Sequence, residues 1–303
     1  MVLLTANGQK PKASYVCGMT IHDASLQLRF RLFHLYEERE SGNITDLVME
    51  NITGWKKIDR VVNKNVPLNA IQQKLLEDYT QALLQQTPLQ YVLKEAWFYG
   101  MKLYVDENVL IPRPETEELA DWAIKEHLSA QADQKWIDIG TGSGCIPLAI
   151  KKSLPAIEVH ACDVSDGALR VAKKNAADQK LAINFHLLDI LNETTSRQLP
   201  LFATIISNPP YIPKKDKAAM AANVLQYEPH LALFVEDADP LLFYKAIADF
   251  AATHLAANSL LYLEIHEEMA AAVIDLYQQK GFAHTTLRKD LQGRDRMLKV
   301  SNQ

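Results

Sequence analysis

The chain has 303 residues, a formal net charge of -5 and 48% hydrophobic residues, enough for one large or two ordinary domains with buried cores. No block of like charge and no basic face stands out, which counts against a protein that grips long nucleic acid and favours a protein or small-molecule substrate. The cysteines, Cys17, Cys145 and Cys162, are odd in number and form no CxxC pair, which speaks against a disulfide framework or a cysteine-rich zinc site.

No run approaches the ~20 apolar residues of a membrane span, and the N-terminus lacks a long apolar segment before a small-residue cleavage site. No membrane association and a cytoplasmic location are therefore expected. Residues 1–18 are polar with Gly8, Pro11 and Gly18 and read as a disordered tip, with Met19 an alternative start. From Asp23, a plausible N-cap, a helix is expected with Leu26, Phe30, Phe33, His34 and Tyr36 near one face. A second short helix spans Asn43 to Asn51, and a third runs from Pro67 to about Gln86 with Ile71, Leu75, Tyr79 and Leu83 at spacings of four. Residues 19–87 thus read as a small, nearly neutral all-α domain, assigned to substrate recognition.

Residues 88–112 change character. Two aromatic and β-branched runs, Ala96–Tyr99 and Lys102–Val105, bend near Gly100 and predict a β-hairpin linker. Residues 113–303 then open with a helix from Glu115 to about Leu128. Strands follow at Lys135–Ile139, Ile157–Cys162, Ile183–Leu187, Ala203–Ser207 and Ser259–His266. They alternate with helices at Cys145–Ser153, Asp166–Asp178, Pro240–Ala256 and Glu267–Gln279. Near-continuous apolar strands suit a parallel sheet covered on both faces. Ala283–Arg288 and Arg296–Val300 flank the turn signal Gln292-Gly293 and predict an antiparallel hairpin ending the sheet.

Four motifs carry chemistry. Asp138-Ile139-Gly140-Thr141-Gly142-Ser143-Gly144 lies between a strand and a helix, where glycines admit a ligand close to backbone amides at the carboxyl end of a sheet. The GxGxG spacing and the preceding acid favour a methyl-donor nucleoside over a dinucleotide. Asp163 ends the next strand and can accept both ribose hydroxyls, or cap the following helix; NAD enzymes place an acid there too. Asp189, ending the third strand, can accept from an adenine amine while Ile190 touches the ring; a surface turn explains it nearly as well. Ser207-Asn208-Pro209-Pro210-Tyr211 follows the fourth strand. Its prolines stiffen the backbone and donate nothing, so the Asn208 side-chain oxygen and the Pro209 carbonyl can hold a planar NH2 group while the Tyr211 ring covers its flat face.

Pro88-Leu89-Gln90-Tyr91, Leu110-Ile111-Pro112-Arg113-Pro114-Glu115-Thr116-Glu117, the Asp138–Cys145 loop and Asn208-Pro209-Pro210-Tyr211-Ile212 occur together in this order. Tyr227-Glu228-Pro229 and Ala232-Leu233 follow. This set resembles the bacterial peptide chain release factor N5-glutamine methyltransferases from about residue 20 to the C-terminus; residues 1–18 match nothing in it. The resemblance implies an α/β fold: a class I S-adenosylmethionine-dependent methyltransferase, Rossmann-like, with a mostly parallel seven-stranded sheet and an antiparallel end hairpin, behind a small all-α domain. It implies that Asp138, Gly140, Thr141, Gly142, Ser143, Gly144, Asp163, Asp189, Ile190 and Asn208 hold S-adenosylmethionine, which leaves as S-adenosylhomocysteine, with no metal. Asn208, Pro209, Pro210 and Tyr211 would hold the glutamine of the Gly-Gly-Gln loop of class-1 release factors, with Asn208, Pro209 and Tyr211 catalytic. A monomer is expected.

The remaining residues have quieter readings. Cys145 is expected to be a small buried helix residue, His266 a strand-end surface position beside Glu264, and Trp97-Phe98-Tyr99 linker packing; the role of Glu228 stays open. Two rival functions remain. An adenine-N6 methyltransferase for DNA or RNA could use the same tetrapeptide but needs a basic surface or a recognition domain. A non-catalytic nucleotide-binding scaffold would ordinarily lose the catalytic loop retained here.

Overall fold

The computed structural model describes residues 18–128, 133–192 and 198–301; apart from Gly18, the expected disordered tip lies outside them. The chain divides into two compact units, Met1–Leu93 and Lys94–Gln303. The division falls inside the segment 88–112 expected as a linker.

The first unit is helical: α1 (Ile21–Leu32), α2 (Glu38–Thr53), α3 (Lys57–Val62), α4 (Ala70–Leu84) and α5 (Leu89–Leu93). Thr20, not Asp23, caps α1: its hydroxyl accepts from the Asp23 N–H at 3.1 Å while the Asp23 carboxylate reaches back to Thr20, a reciprocal capping box. Asn69 and Gln72 form the same device at the start of α4, three residues after the expected Pro67. The α1 face also differs from expectation. Ile21, Ala24, Leu28 and Leu32 enter the core, whereas Phe30 is 73% exposed and Leu26 and Phe33 also face out. Both sets have helical spacing, and packing among α1, α2 and α4 selects the first. In α4, Leu76, Thr80 and Leu83 are buried and Ile71 is exposed. The second helix is longer than expected and ends at Gly54, whose φ is 70°; α3 was not anticipated.

The second unit begins with the hairpin β1 (Ala96–Phe98) and β2 (Met101–Leu103). Tyr99 and Gly100 at its bend both have positive φ, 50° and 67°, the backbone of a tight primed turn. Phe98 is core, while Trp97 faces out. Helix α6 (Pro114–Glu126) starts on proline at a position where the missing N–H costs nothing. Then come β3 (Lys135–Ile139), α7 (Cys145–Ser153), β4 (Glu158–Asp163), α8 (Asp166–Gln179), β5 (Asn184–Leu187) and β6 (Phe202–Ser207). After the short strand β7 (Ile212–Pro213), helix α9 (Ala222–Tyr227) and strand β8 (Phe234–Val235), the chain continues through α10 (Leu242–His254), β9 (Leu255–Glu264), α11 (Ala270–Gln279), β10 (His284–Lys289) and β11 (Asp295–Ser301).

Seven strands form one sheet in the order β10-β11-β9-β6-β3-β4-β5. Six run in one direction, and β11 alone is reversed, pairing antiparallel with both β9 and the edge strand β10. This is the expected class I methyltransferase architecture. The pleat explains why the strands read as continuous apolar runs. Trp136, Val159, Ile206 and Tyr262 pack on one face with α6 and α7. Ile137, Cys162, Ile205 and Leu261 pack on the other with α10 and α11. The reversal of strand order between β3 and β6 opens a crevice at their carboxyl ends, where ligands bind in such sheets.

Candidate active site

A cavity of about 260 Å³ lies in that crevice. Its floor is the β3–α7 loop. Gly140, Gly142 and Gly144 all have positive φ, between 52° and 79°, a backbone that side chains resist. A Cβ on Gly144 would stand 3.1 Å from the Ala172 Cβ, so this glycine also permits the close approach of α7 to α8. Gly140 and Thr141 donate to the Cys162 carbonyl at 2.9 and 3.0 Å. From α8, Asn175 donates to the Ser143 carbonyl at 2.9 Å and holds Tyr104 by its N–H and C=O.

Asp163, at the end of β4, accepts the Gly142 N–H on one oxygen and the Ser165 N–H on the other, both at 2.9 Å. It lines the cavity. Burial pushes its pKa up, opposed by those amides. Asp138 lies just below, almost wholly buried, and neither of its oxygens meets a well-formed hydrogen bond; the Thr141 and Ser143 hydroxyls likewise lack one of good geometry. Burial pushes the Asp138 pKa up to about 7, with the Asp163 charge adding and the neighbouring Thr141 hydroxyl opposing. Asp189 turns an oxygen to the Leu191 N–H at 2.9 Å and lines the cavity with Ile190.

Asn208, Pro209 and Pro210 form the opposite wall. The Ser207 hydroxyl donates to the Ile139 carbonyl at 2.7 Å and ties the loop to β3. The Asn208 Nδ2 donates to Thr116 Oγ1 at 2.9 Å, and Thr116 in turn donates to Glu264 Oε2 at 2.7 Å. Tyr211, expected to cover a substrate amide, is not among the cavity-lining residues; its hydroxyl donates to Glu264 Oε1 at 2.9 Å and its ring meets the edge of His266. Asp138 and Gly144 also lie behind the lining rather than in it. Glu264 is 2% exposed. Burial raises its pKa, the Thr116 and Tyr211 donors and the Arg296 charge oppose the rise, and Glu115 adds to it.

A second acid closes the rim. Glu228 accepts from Arg113 Nη2 at 2.6 Å and from the Ile111 N–H at 3.2 Å, joining the segment before α6 to the segment after α9. Sequence reasoning left Glu228 without a role and gave none to Arg113, Thr116 or Glu264. Arg113 and Thr116 sit inside the Arg-Pro-Glu-Thr-Glu run; Glu264 had one signal, a lone acid ending an apolar strand at the sheet's carboxyl edge. Cys145 is buried at the start of α7, and burial pushes its thiol up to about 12, far from a reactive thiolate. His266 accepts from the Glu268 N–H and caps a turn.

Among the described residues no cluster of three or more His, Cys, Asp or Glu is arranged for a metal, and no helix is long and apolar enough to cross a membrane. The Methyltransferase small domain family matches residues 121–232, and the PrmC N-terminal domain family matches residues 27–93. The Release factor glutamine methyltransferase of Flavobacterium psychrophilum is 42% identical over 285 residues, 93% of this chain and 99% of that protein. The protein of the same name from Bacteroides thetaiotaomicron is 36% identical over 89% of this chain and 96% of its own length. A solved structure of the hMettl16 catalytic domain in complex with MAT2A 3'UTR hairpin 6 covers 78% of this chain and 83% of its own, with TM-score 0.53 and 15% identity; that likeness concerns the fold alone.

Proposed function

The chain belongs to the release factor glutamine methyltransferase family, and from that premise we propose how its cavity carries out the family's reaction. The enzyme transfers a methyl group from S-adenosylmethionine to the side-chain amide nitrogen of a glutamine in peptide chain release factors. The substrate residue is the glutamine of the Gly-Gly-Gln loop of class-1 factors.

The cavity suits the methyl donor. Three buried polar groups, Thr141 and Ser143 in the floor and Asp138 just behind it, lack a well-formed hydrogen bond, a state that native interiors rarely leave uncompensated. Asp163 is held with both oxygens at the rim for ribose hydroxyls. Asp189 and Ile190 offer an acceptor and an apolar edge for adenine, and Gly140 and Gly142 keep the floor free of side chains. When bound, the donor supplies an electrophilic sulfonium methyl group.

The residues of the chain do the rest. An amide nitrogen is a poor nucleophile because its lone pair is delocalised, so orientation is the main demand. The observation that carries this reading is Asn208. Its NH2 is engaged by Thr116, which leaves Oδ1 as the acceptor for a substrate NH2, beside the Pro209 carbonyl. Two acceptors fix the plane and rotation of the incoming amide, and they stabilise the positive charge that grows on nitrogen as its bond to carbon forms. The proton lost from nitrogen goes to water. Tyr211 is a positioning residue in this scheme, acting through Glu264. The helical unit is proposed as the recognition element for the release factor, and the enzyme as a monomer without a metal.

The test incubates the enzyme with isotopically labelled donor and a purified class-1 release factor, then maps the label by mass spectrometry. A single methyl on the Gly-Gly-Gln glutamine is expected, and Asn208→Ala should lower kcat about 10²–10³-fold while sparing donor affinity. Label on RNA or DNA offered in parallel, with none on the factor, refutes the assignment.

A further inference from the structure

We infer that Glu264 is a positioning residue whose negative charge, relayed through the Thr116 hydroxyl, dictates which end of the Asn208 carboxamide faces the cavity. The inference rests on the reading of Asn208 as the acceptor for the substrate amide.

The supply of protons fixes the orientation. An ionised carboxylate accepts hydrogen bonds and has none to give. Glu264 receives two donors, Thr116 Oγ1 at 2.7 Å and the Tyr211 hydroxyl at 2.9 Å. Thr116 has one hydroxyl proton and spends it on Glu264, so toward Asn208 its oxygen can only accept. Of the two ends of the Asn208 carboxamide, only the NH2 can face such an oxygen, and it does so at 2.9 Å. The carbonyl end is thereby committed to the cavity. A carboxamide is nearly symmetric in shape, and sterics alone would tolerate the half-turn that places NH2 toward the substrate. That flipped form would set donor against donor and lose the grip on the reacting nitrogen.

The surroundings keep the relay in one state. Glu264 is held from β11 by the Arg296 charge, which counters the desolvation that favours its neutral form. Arg296 is itself fixed by the Ile265 carbonyl at 3.2 Å and by Asp290 at 3.4 Å. From α10, the Tyr244 hydroxyl donates to the Glu264 backbone carbonyl at 3.3 Å. Both hydrogen-bond partners of the carboxylate are thus donors and Arg296 faces it as a cation, with the Glu115 charge alone working the other way. Tyr211 completes the pair of donors, which gives the last residue of the catalytic loop a function away from the cavity wall.

The experiment measures kcat, KM for the release factor and donor affinity by calorimetry for the full chain and for Glu264→Gln, Thr116→Val, Thr116→Ser, the Glu264→Gln/Thr116→Val double variant and Asn208→Ala. Glutamine keeps the size of Glu264 but lets the Thr116 proton turn toward Asn208. Glu264→Gln and Thr116→Val are each expected to lower kcat roughly tenfold or more, with donor affinity within about threefold. Thr116→Ser, which restores the hydroxyl, should recover kcat to within about threefold of the parent. The double variant should be no slower than Thr116→Val alone, because the charge acts only through that hydroxyl. Unchanged kcat in Glu264→Gln, or losses that multiply in the double variant, would overturn the relay. If Glu264→Gln does not fold, the contrast between Thr116→Val and Thr116→Ser decides alone: equal rates refute. Asn208→Ala separates the two levels, since an unimpaired Asn208→Ala sinks the underlying reading, whereas a crippled one beside an unimpaired Glu264→Gln sinks only the relay.

Discussion

Glu228→Ala offers a stringent test of how the cavity wall is held. The Glu228 side chain is 1% exposed and bonds Arg113, whose side chain is 35% exposed, at 2.6 Å. It also takes the Ile111 N–H at 3.2 Å. Truncation leaves that amide without its acceptor and the guanidinium without its counter-charge. Breaking a fully buried pair costs about 3–5 kcal/mol. Arg113, however, can recover water, so a loss of about 2 kcal/mol is expected, most of it from the stranded amide and the vacated space. For a unit of this size that lowers the unfolding midpoint by about 4–8 °C, and donor binding should weaken, because Arg113 and Pro229 both line the cavity. Thermal unfolding followed by circular dichroism, with titration calorimetry for the donor, measures both. Glu228→Gln, which retains an acceptor for Ile111, should fall between the parent and Glu228→Ala. A midpoint within 1 °C of the parent for Glu228→Ala (about 0.3–0.5 kcal/mol at this size) would show that the clamp contributes nothing and refute the reasoning.

Two further outcomes follow from the acids of the floor. Asp163→Ala should weaken donor affinity at least about tenfold, the loss of one charge-assisted hydrogen bond, and an unchanged calorimetric affinity would remove Asp163 from the ribose site. Asp138 has its pKa raised from 3.8 to about 7 by burial, so the folded chain retains a proton that the unfolded chain releases between those values. Its contribution is therefore most favourable below 3.8 and declines as pH climbs to about 7. Asp138→Asn, without donor, should raise the unfolding midpoint at pH 8 relative to the parent and leave it near the parent's at pH 4; a constant offset at both pH values would contradict this.

Much of the second unit could be read from the chain because its signals are local. Strand runs such as Trp136–Ile137 and Ile205–Ile206 are apolar on successive residues, since both faces of the sheet are covered. The loop Gly140–Gly144 declares a backbone with positive φ, and Pro209-Pro210 declares one that cannot donate. The first unit was less legible. Thr20 and Asp23 form a capping box in which either could pass for the cap, and α1 bears two stripes of helical spacing, so which one turns inward depends on α2 and α4.

The polar architecture behind the site was not legible at all. Glu264 pairs with Thr116 across 148 positions, Arg113 with Glu228 across 115, and Asn208 with Thr116 across 92. Periodicity, capping and turn chemistry act within a few residues, and so the sequence by itself determined the elements, the glycine floor and the proline-braced loop. Which buried acid meets which hydroxyl is settled only when strands and helices close on one another and water leaves, because only then does an unmatched donor or acceptor carry a cost large enough to select its partner.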